Sequence, residues 1–244
     1  MSTVAAPVAP PSGGKNLFAR VWGILTSPRE TFADVVARPR VFSMMALVIL
    51  VTVVCWAGFL STSVGKQAYI DQAVRSTESF GGQVTDESYA VLEKMSAYAA
   101  PMVAVQMAIL GPLMWLILAG ILFAVFNAAM GGDSSFKQVF AVVVYSSAVT
   151  LVQQLFVMPL NFVRESMSSA TNLSVFLPML DEKSFLTKFL GTIDLFLIWW
   201  VAVLAIGLGV LYRRKAGPIA IGLFVVYGII AIIIAAVTSG RAGA

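Results

Sequence analysis

Apolar residues gather along this chain into five long stretches, at about Val41–Leu60, Pro101–Met130, Val139–Phe162, Leu190–Leu211 and Pro218–Val237. Each is long enough to cross a hydrocarbon core, which takes about 20 helical residues. The pattern predicts an all-α, polytopic membrane protein built as a five-transmembrane-helix bundle. As a single helix the second stretch would run to about 45 Å, at 1.5 Å per residue, so it must tilt, protrude or bend. Gly111-Pro112 marks the predicted kink, because proline deletes a backbone donor.

The segments between these stretches have patterns of their own. Residues 1–14 are Ala, Pro, Ser and Gly with almost nothing else, lacking a charged n-region and an apolar h-region. They predict a disordered cytoplasmic tail and not a cleaved secretory signal. From Lys15 onward, Leu17, Phe18, Val21, Trp22 and Leu25 recur at helical spacing, with Lys15 and Arg20 set away from them. That is the pattern of an interfacial helix. Ser27-Pro28-Arg29-Glu30 then reads as a helix start, with N-cap serine, N1 proline and N3 glutamate. The second short helix offers Phe32, Val35 and Val36 to one face and stops before Pro39. Residues 15–40 thus form a cytoplasmic elbow of amphipathic helices, with Trp22, Pro28, Arg29 and Phe32 as its candidate interface. Two placements satisfy the pattern: flat on the bilayer surface, or packed against the ends of the spans. In the membrane domain, residues 41–238, the connection at about 61–100 is too long to be plain loop. Two helical patterns flank Gly81-Gly82, one using Tyr69, Ile70, Ala73 and Val74, the other Tyr89, Leu92 and Met95. They predict either an outer helical hairpin or an extension of the two spans into water. Residues 239–244 read as a short outer tail.

Composition narrows the chemistry. Hydrophobic residues make up 59% and charged residues 11%, against roughly 45–50% and a quarter in soluble domains, and the mean hydropathy is +0.90. A soluble core of this size could not hide so much apolar surface. There is no histidine, and Cys55 is the single cysteine. Ser-His-Asp and Cys-His nucleophiles, HExxH metal helices and an intrachain disulfide framework are therefore excluded. The chain has no G-x-S-x-G elbow, no GxxxxGK[ST] phosphate loop and no metal-ligand cluster. Asp133 and Asp194 fall on opposite sides of the predicted topology, so they cannot pair as catalytic aspartates. Cys55 lies in apolar surroundings that leave a thiol unreactive. No enzyme activity, cofactor or metal is predicted.

Charge orients the chain. Sixteen Lys and Arg against twelve Asp and Glu give +4, without a run of five or six like charges and without aromatics interleaved among the basic residues. Nucleic acid is not a predicted partner. Lys15, Arg20, Arg29, Arg38 and Arg40 precede the first span, Arg213-Arg214-Lys215 link the fourth to the fifth, and Lys137 joins them on the same side. Lys66, Arg75, Lys94, Arg164, Lys183, Lys188 and Arg241 are spread through longer loops on the other side, the first of them net acidic. With Arg38, Arg40, Arg213, Arg214 and Lys215 as anchors, the positive-inside rule predicts a cytoplasmic N-terminus and an outer C-terminus.

Few polar residues interrupt the spans: Gln106, Asn127, Gln153, Gln154, Asn161 and Asp194. An ionised group costs at least about 2.5–3.5 kcal/mol at mid-bilayer, which makes Asp194 the foremost functional candidate. Two structural roles compete with a proton or ion role there. Its place near the outer start of a span, at a helix N-terminus, lowers the cost, and a hydrogen bond to Gln153 or Gln154 would pin helix packing. Gln153 and Gln154 read as bundle glue, with Asn127 a further polar candidate. The pairs Ala124/Ala128, Ala205/Gly209 and Ala231/Ala235 predict close helix approach within the bundle, and a homo-oligomer stays open.

The run Ile24-Leu25-Thr26-Ser27-Pro28-Arg29-Glu30-Thr31-Phe32, followed by Ala37-Arg38-Pro39, resembles the entry motif of bacterial Yip-one domain proteins. That family is named for eukaryotic Ypt/Rab-interacting membrane proteins. Gly131-Gly132-Asp133-Ser134-Ser135-Phe136-Lys137-Gln138 with Tyr145 resembles its link into the third span. Ile193-Asp194-Leu195-Phe196-Leu197-Ile198-Trp199 with Ala205-Ile206-Gly207-Leu208 resembles the fourth. The resemblance covers residues from about 15 to 238 and implies a five-helix bundle with a cytoplasmic N-terminus, here in a bacterial inner (plasma) membrane. The Asp-Leu-Tyr-Gly-Pro motif of some eukaryotic relatives is absent, so binding of small GTPases is not carried over. Two functions follow as expectations. One is a scaffold or adaptor organising membrane proteins or lipids in the bilayer. The other is a small-molecule, ion or lipid transporter or channel using a polar route near Asp194.

Overall fold

Proline and arginine punctuate the start of the fold. In the computed structural model, which describes residues 14–79, 81–177, 179–181 and 184–240, α1 (Leu17–Thr26) and α2 (Pro28–Ala37) form a short hairpin ahead of α3 (Val41–Leu60). The expected tail at 1–14, apart from Gly14, and most of that at 239–244 lie outside the described residues. α4 (Ser63–Ser79) and α5 (Asp86–Ser96) follow, separated by Gly81 at φ +79°, a conformation that favours glycine. A reciprocal Thr85–Ser88 capping box starts α5. The remaining helices are α6 (Ala99–Phe123), α7 (Phe136–Ser146), α8 (Ala148–Val163), α9 (Phe185–Thr192), α10 (Leu195–Leu211) and α11 (Ala216–Gly240). Among the described residues there is no strand beyond an isolated bridge between Asn172 and Asp194.

Among the described residues, four helical stretches are long and apolar enough to cross a membrane: Val41–Leu60, Ala99–Ala129, Phe136–Val163 and Ala216–Ser239. The first has the ends its apolar run predicts. The other three match their apolar runs to within three residues, and local features interrupt the second and third of them as well as the run at Leu190–Leu211. Pro112 sits inside α6 without ending it, and the helix passes into a π-helical segment, Ala124–Ala129. The third stretch is broken at Ser147, where the Ser146 and Ser147 hydroxyls donate to the carbonyls of Val142 and Val143, at 2.8 and 3.5 Å. Such back-bonding by serine bends helices. The stretch expected at Leu190–Leu211 is two helices, because Ile193-Asp194 is extended; α10 keeps only 17 residues.

The third stretch is the centre of the bundle. Of its most apolar window 61% is buried inside the protein, against 17% for each of the other three. Around it pack α3, α6 and α10, while α11 is held on α10 and α9. Val139, Val142, Tyr145 and Ala148 meet Met44 and Val48 of α3, Leu204 and Leu208 of α10, and Ile24, Phe32 and Val35 of the hairpin in one cluster. The starts of α3, α7 and α11 and the ends of α6 and α10 gather at one end, which carries Arg38, Arg40, Lys137, Arg213, Arg214 and Lys215 and is called the basic end below. Phe59 and Leu60 meet Ala68 and Ala99 at the far end. Of the small-residue pairs, Ala205/Gly209 and Ala231/Ala235 are buried within the bundle, but Ala124/Ala128 are exposed, on the π-helical segment.

Gly207 sets how closely the hairpin approaches the bundle. A Cβ there would lie 2.6 Å from the Val142 Cγ1 and 2.9 Å from the Phe32 ring. Gly207→Val is expected to lose about 1–3 kcal/mol, the cost of overpacking a filled core. Thermal unfolding in detergent checks this: a lowered Tm is expected, and an unchanged one contradicts the close approach.

Candidate functional site

The hairpin does not lie apart from the spans; it is fastened into them through a charged residue. Arg20 is only 2% exposed. Its Nε donates to Asp34 Oδ2 at 2.8 Å and its Nη1 to the Tyr145 hydroxyl at 3.0 Å. The guanidinium also stands 5.5 Å from the centroid of the Tyr145 ring, within cation–π range. Tyr145 in turn donates to the Arg40 carbonyl at 2.9 Å. One side chain of α7 thereby joins α1, α2 and the entry to α3. Gln138 adds a second tie: its Oε1 accepts from the Ser135 amide to cap α7, and its Nε2 donates to the Val36 carbonyl at 3.2 Å. Burying a guanidinium is costly unless it is paired and hydrogen-bonded, and here the carboxylate and the phenol meet both needs.

This reverses one sequence expectation. Helical spacing sets Arg20 away from the apolar face of α1, yet α1 buries Arg20, Gly23 and Ile24. Phe18 and Trp22, at 75% and 69% exposure, are on the outer face. Phe32 is fully buried against Gly207 and Val142, so it belongs to the bundle core and not to an outer interface. Pro28 is the first residue of α2, but Ser27 makes no side-chain cap bond. Instead the Thr31 hydroxyl donates to the Ser27 carbonyl at 3.1 Å. Arg29 lines a cavity of about 330 Å³ together with Arg213 and Arg214, over Ala33, Ile206 and Val210. Arg214 is steadied by donating to the Met130 carbonyl at 3.0 Å.

The polar candidates inside the spans have separate duties. Asn127 sits in the π-helical segment, donating to the Ser134 carbonyl and accepting from the Tyr212 hydroxyl, both at 2.6 Å. Phe126 stacks on Tyr212 at 4.8 Å, closing the ends of α6 and α10 on each other. Burial pushes the Tyr212 hydroxyl above its ordinary value, with a bond to Ser134 opposing, so it stays a donor at neutral pH. Asp194 is the N-cap of α10. Its Oδ1 accepts from the Phe196 and Leu197 amides at 2.8 and 3.3 Å. Its Oδ2 accepts from the Ser169 and Thr171 hydroxyls at 2.5 and 2.7 Å. Of the two structural roles the sequence offers, Asp194 takes the place at a helix N-terminus, and the loop hydroxyls stand where a bond to Gln153 or Gln154 is the alternative. Gln153 and Asp194 do line one cavity of about 410 Å³, with Ser147, Thr150 and Trp200. Gln154 and Asn161 are buried on α8, and Gln154 Oε1 and Asn161 Oδ1 have no hydrogen-bond partner. Cys55 is half-buried on α3. Among the described residues, no group of three or more His, Cys, Asp or Glu is placed to hold a metal.

A family model described as the Yip1 domain matches residues 22–238. No curated protein and no solved structure matches the chain.

A double-mutant cycle tests the Arg20–Asp34 pair. Asp34→Leu leaves a buried guanidinium without its carboxylate and is expected to cost about 3–5 kcal/mol, and Arg20→Met in turn leaves the carboxylate without its cation. Arg20→Met with Asp34→Leu is expected to recover most of that loss, since apolar replacement of a buried pair is often neutral. Equal and additive losses from the single variants, read by unfolding in detergent, would show that the two side chains are not coupled.

Proposed function

The chain belongs to the Yip1 domain family, and from that membership we propose that this multi-pass membrane protein is a non-catalytic scaffold or adaptor. In this reading it organises other membrane proteins or anionic lipids from the cytoplasmic face of a bacterial inner membrane. The basic end faces the cytoplasm and the C-terminus lies outside, because close-set Lys and Arg flanking the spans are retained on that side.

The observation that carries the reading is the fastening of the hairpin through Arg20. A hairpin fixed in the bundle holds its outer face in one orientation. Phe18 and Trp22 on that face suit the headgroup boundary, and the cavity of Arg29, Arg213 and Arg214 suits an acidic segment or an anionic headgroup. A second copy of the chain is one such partner. The absence of the Asp-Leu-Tyr-Gly-Pro motif gives no support for a small GTPase. Transport through Asp194 is the weaker reading, since its carboxylate already accepts from four donors that cap a helix and tie a loop.

The test compares tagged full-length wild type with Phe18→Ser/Trp22→Ser after solubilisation in mild detergent. Wild type is expected to retain a partner in stoichiometric amount, and the double variant to lose it with an unchanged Tm. Recovery of no stoichiometric partner by wild type, or equal recovery by both proteins, would overturn the scaffold reading.

A further inference from the structure

At the far end of the bundle from the basic links, a cavity of about 640 Å³ lies between α4, the connection after α8, α9 and the last turns of α11. Its volume falls within the range of about 300–1,000 Å³ typical of small-molecule sites. Arg75 of α4, Arg164 at the end of α8 and Lys188 of α9 all line it, and among the described residues no carboxylate does. Among the described residues none of these three cations makes an ion pair. Among the described residues, the carboxylates nearest in sequence are Asp71, which accepts from Gln67 at 2.9 Å, Glu78, Glu165, Asp181 and Asp194, and none of them lines the cavity. Three like charges lining one cavity from three elements, without a counter-charge among the described lining residues, focus a positive potential into it.

The recess is also built to hold its shape. The Asn172 Oδ1 accepts from the Ser174 hydroxyl at 2.7 Å and the Val175 amide at 3.2 Å, and its amide donates to the Ser169 carbonyl. The Leu173 amide donates to the Ile193 carbonyl at 2.9 Å. Asp194 fastens the same loop through Ser169 and Thr171. Ile234 and Thr238 of α11 also line the cavity, and the same helix carries the exposed apolar side chains Ile230, Ile233 and Val237. The cavity is thus cationic and hydroxyl-lined within, and has an apolar helix beside it.

We propose that this cavity binds a phosphate-bearing anion through Arg75, Arg164 and Lys188, any acyl portion lying along α11. Guanidinium forks suit phosphate oxygens in bidentate geometry, and the lysine adds a point charge. The site is independent of the scaffold surface at the basic end, and its failure would leave that reading intact.

Two arms test the proposal and separate a lipid headgroup from a free anion. In the first, native mass spectrometry of the full chain compares retention of phosphatidylglycerol with that of phosphatidylcholine. In the second, thermal unfolding in neutral detergent compares inorganic phosphate with chloride at matched ionic strength. Wild type is expected to prefer phosphatidylglycerol by roughly tenfold, the scale of one charge-assisted hydrogen bond. R75Q/R164Q/K188Q is expected to lose that preference, whereas K66Q/K94Q, which removes charge from the same end outside the cavity, keeps it. Protection by inorganic phosphate in wild type but not in the triple variant, without a lipid preference, identifies a free anion as the occupant. The single variants R75Q and K188Q are read in the same way if the triple variant unfolds. Overturning results are equal behaviour of wild type and cavity variants in both arms, or neither ligand bound by wild type.

Discussion

A buried guanidinium decides where the first two helices of this protein go. In lipid, apolar helices gain no hydrophobic free energy by meeting one another, so close packing and directional polar contacts determine the arrangement. Arg20 supplies such a contact at the point where α1, α2, α3 and α7 converge. Its charge is matched by Asp34, and the phenol it bonds is anchored on the Arg40 carbonyl. Removing any one member leaves a polar group buried without its partner, so the set stands or falls together.

The same device recurs at the ends of the other helices. Asn127 and Tyr212 hold the ends of α6 and α10 at the basic end, and Asp194 holds the start of α10 and the loop before it at the far end. Between these ties the helices are apolar; α3, α6 and α11 bury only 17% of their most apolar windows inside the protein, whereas α7, α8 and α10 lie largely within it. Interior contacts come from small residues and close approach, as at Gly207. The polar ties set position, and the apolar lengths between them set solubility in lipid.

The spans were legible in the sequence because a continuous apolar run reports length directly, and Val41–Leu60 has the ends it predicts. Single-residue events were not. The break at Ser147 and the extended Ile193-Asp194 leave the apolar count almost unchanged. Periodicity assigned Arg20 to an outer face because a charge on a short helix ordinarily faces water, while its partner Tyr145 lies 125 positions away. Asp194 stood out as a carboxylate at the start of a span, where it caps the Phe196 and Leu197 amides, but its other partners are loop hydroxyls that no helical spacing connects to it. Arg75, Arg164 and Lys188 read as scattered loop charges until the fold gathers them around one cavity.

The most direct test of the central claim is hydrogen–deuterium exchange on wild type and Tyr145→Phe. That substitution removes the hydroxyl that joins Arg20 to the Arg40 carbonyl and leaves the ring in place. Amides of residues 17–37 are predicted to be protected in wild type and to exchange roughly tenfold faster or more in the variant, on the scale of one lost buried hydrogen bond. Those of α10 and α11 are predicted to stay unchanged. Equal protection of the hairpin in both proteins, or loss spread evenly over the whole bundle, would contradict the account.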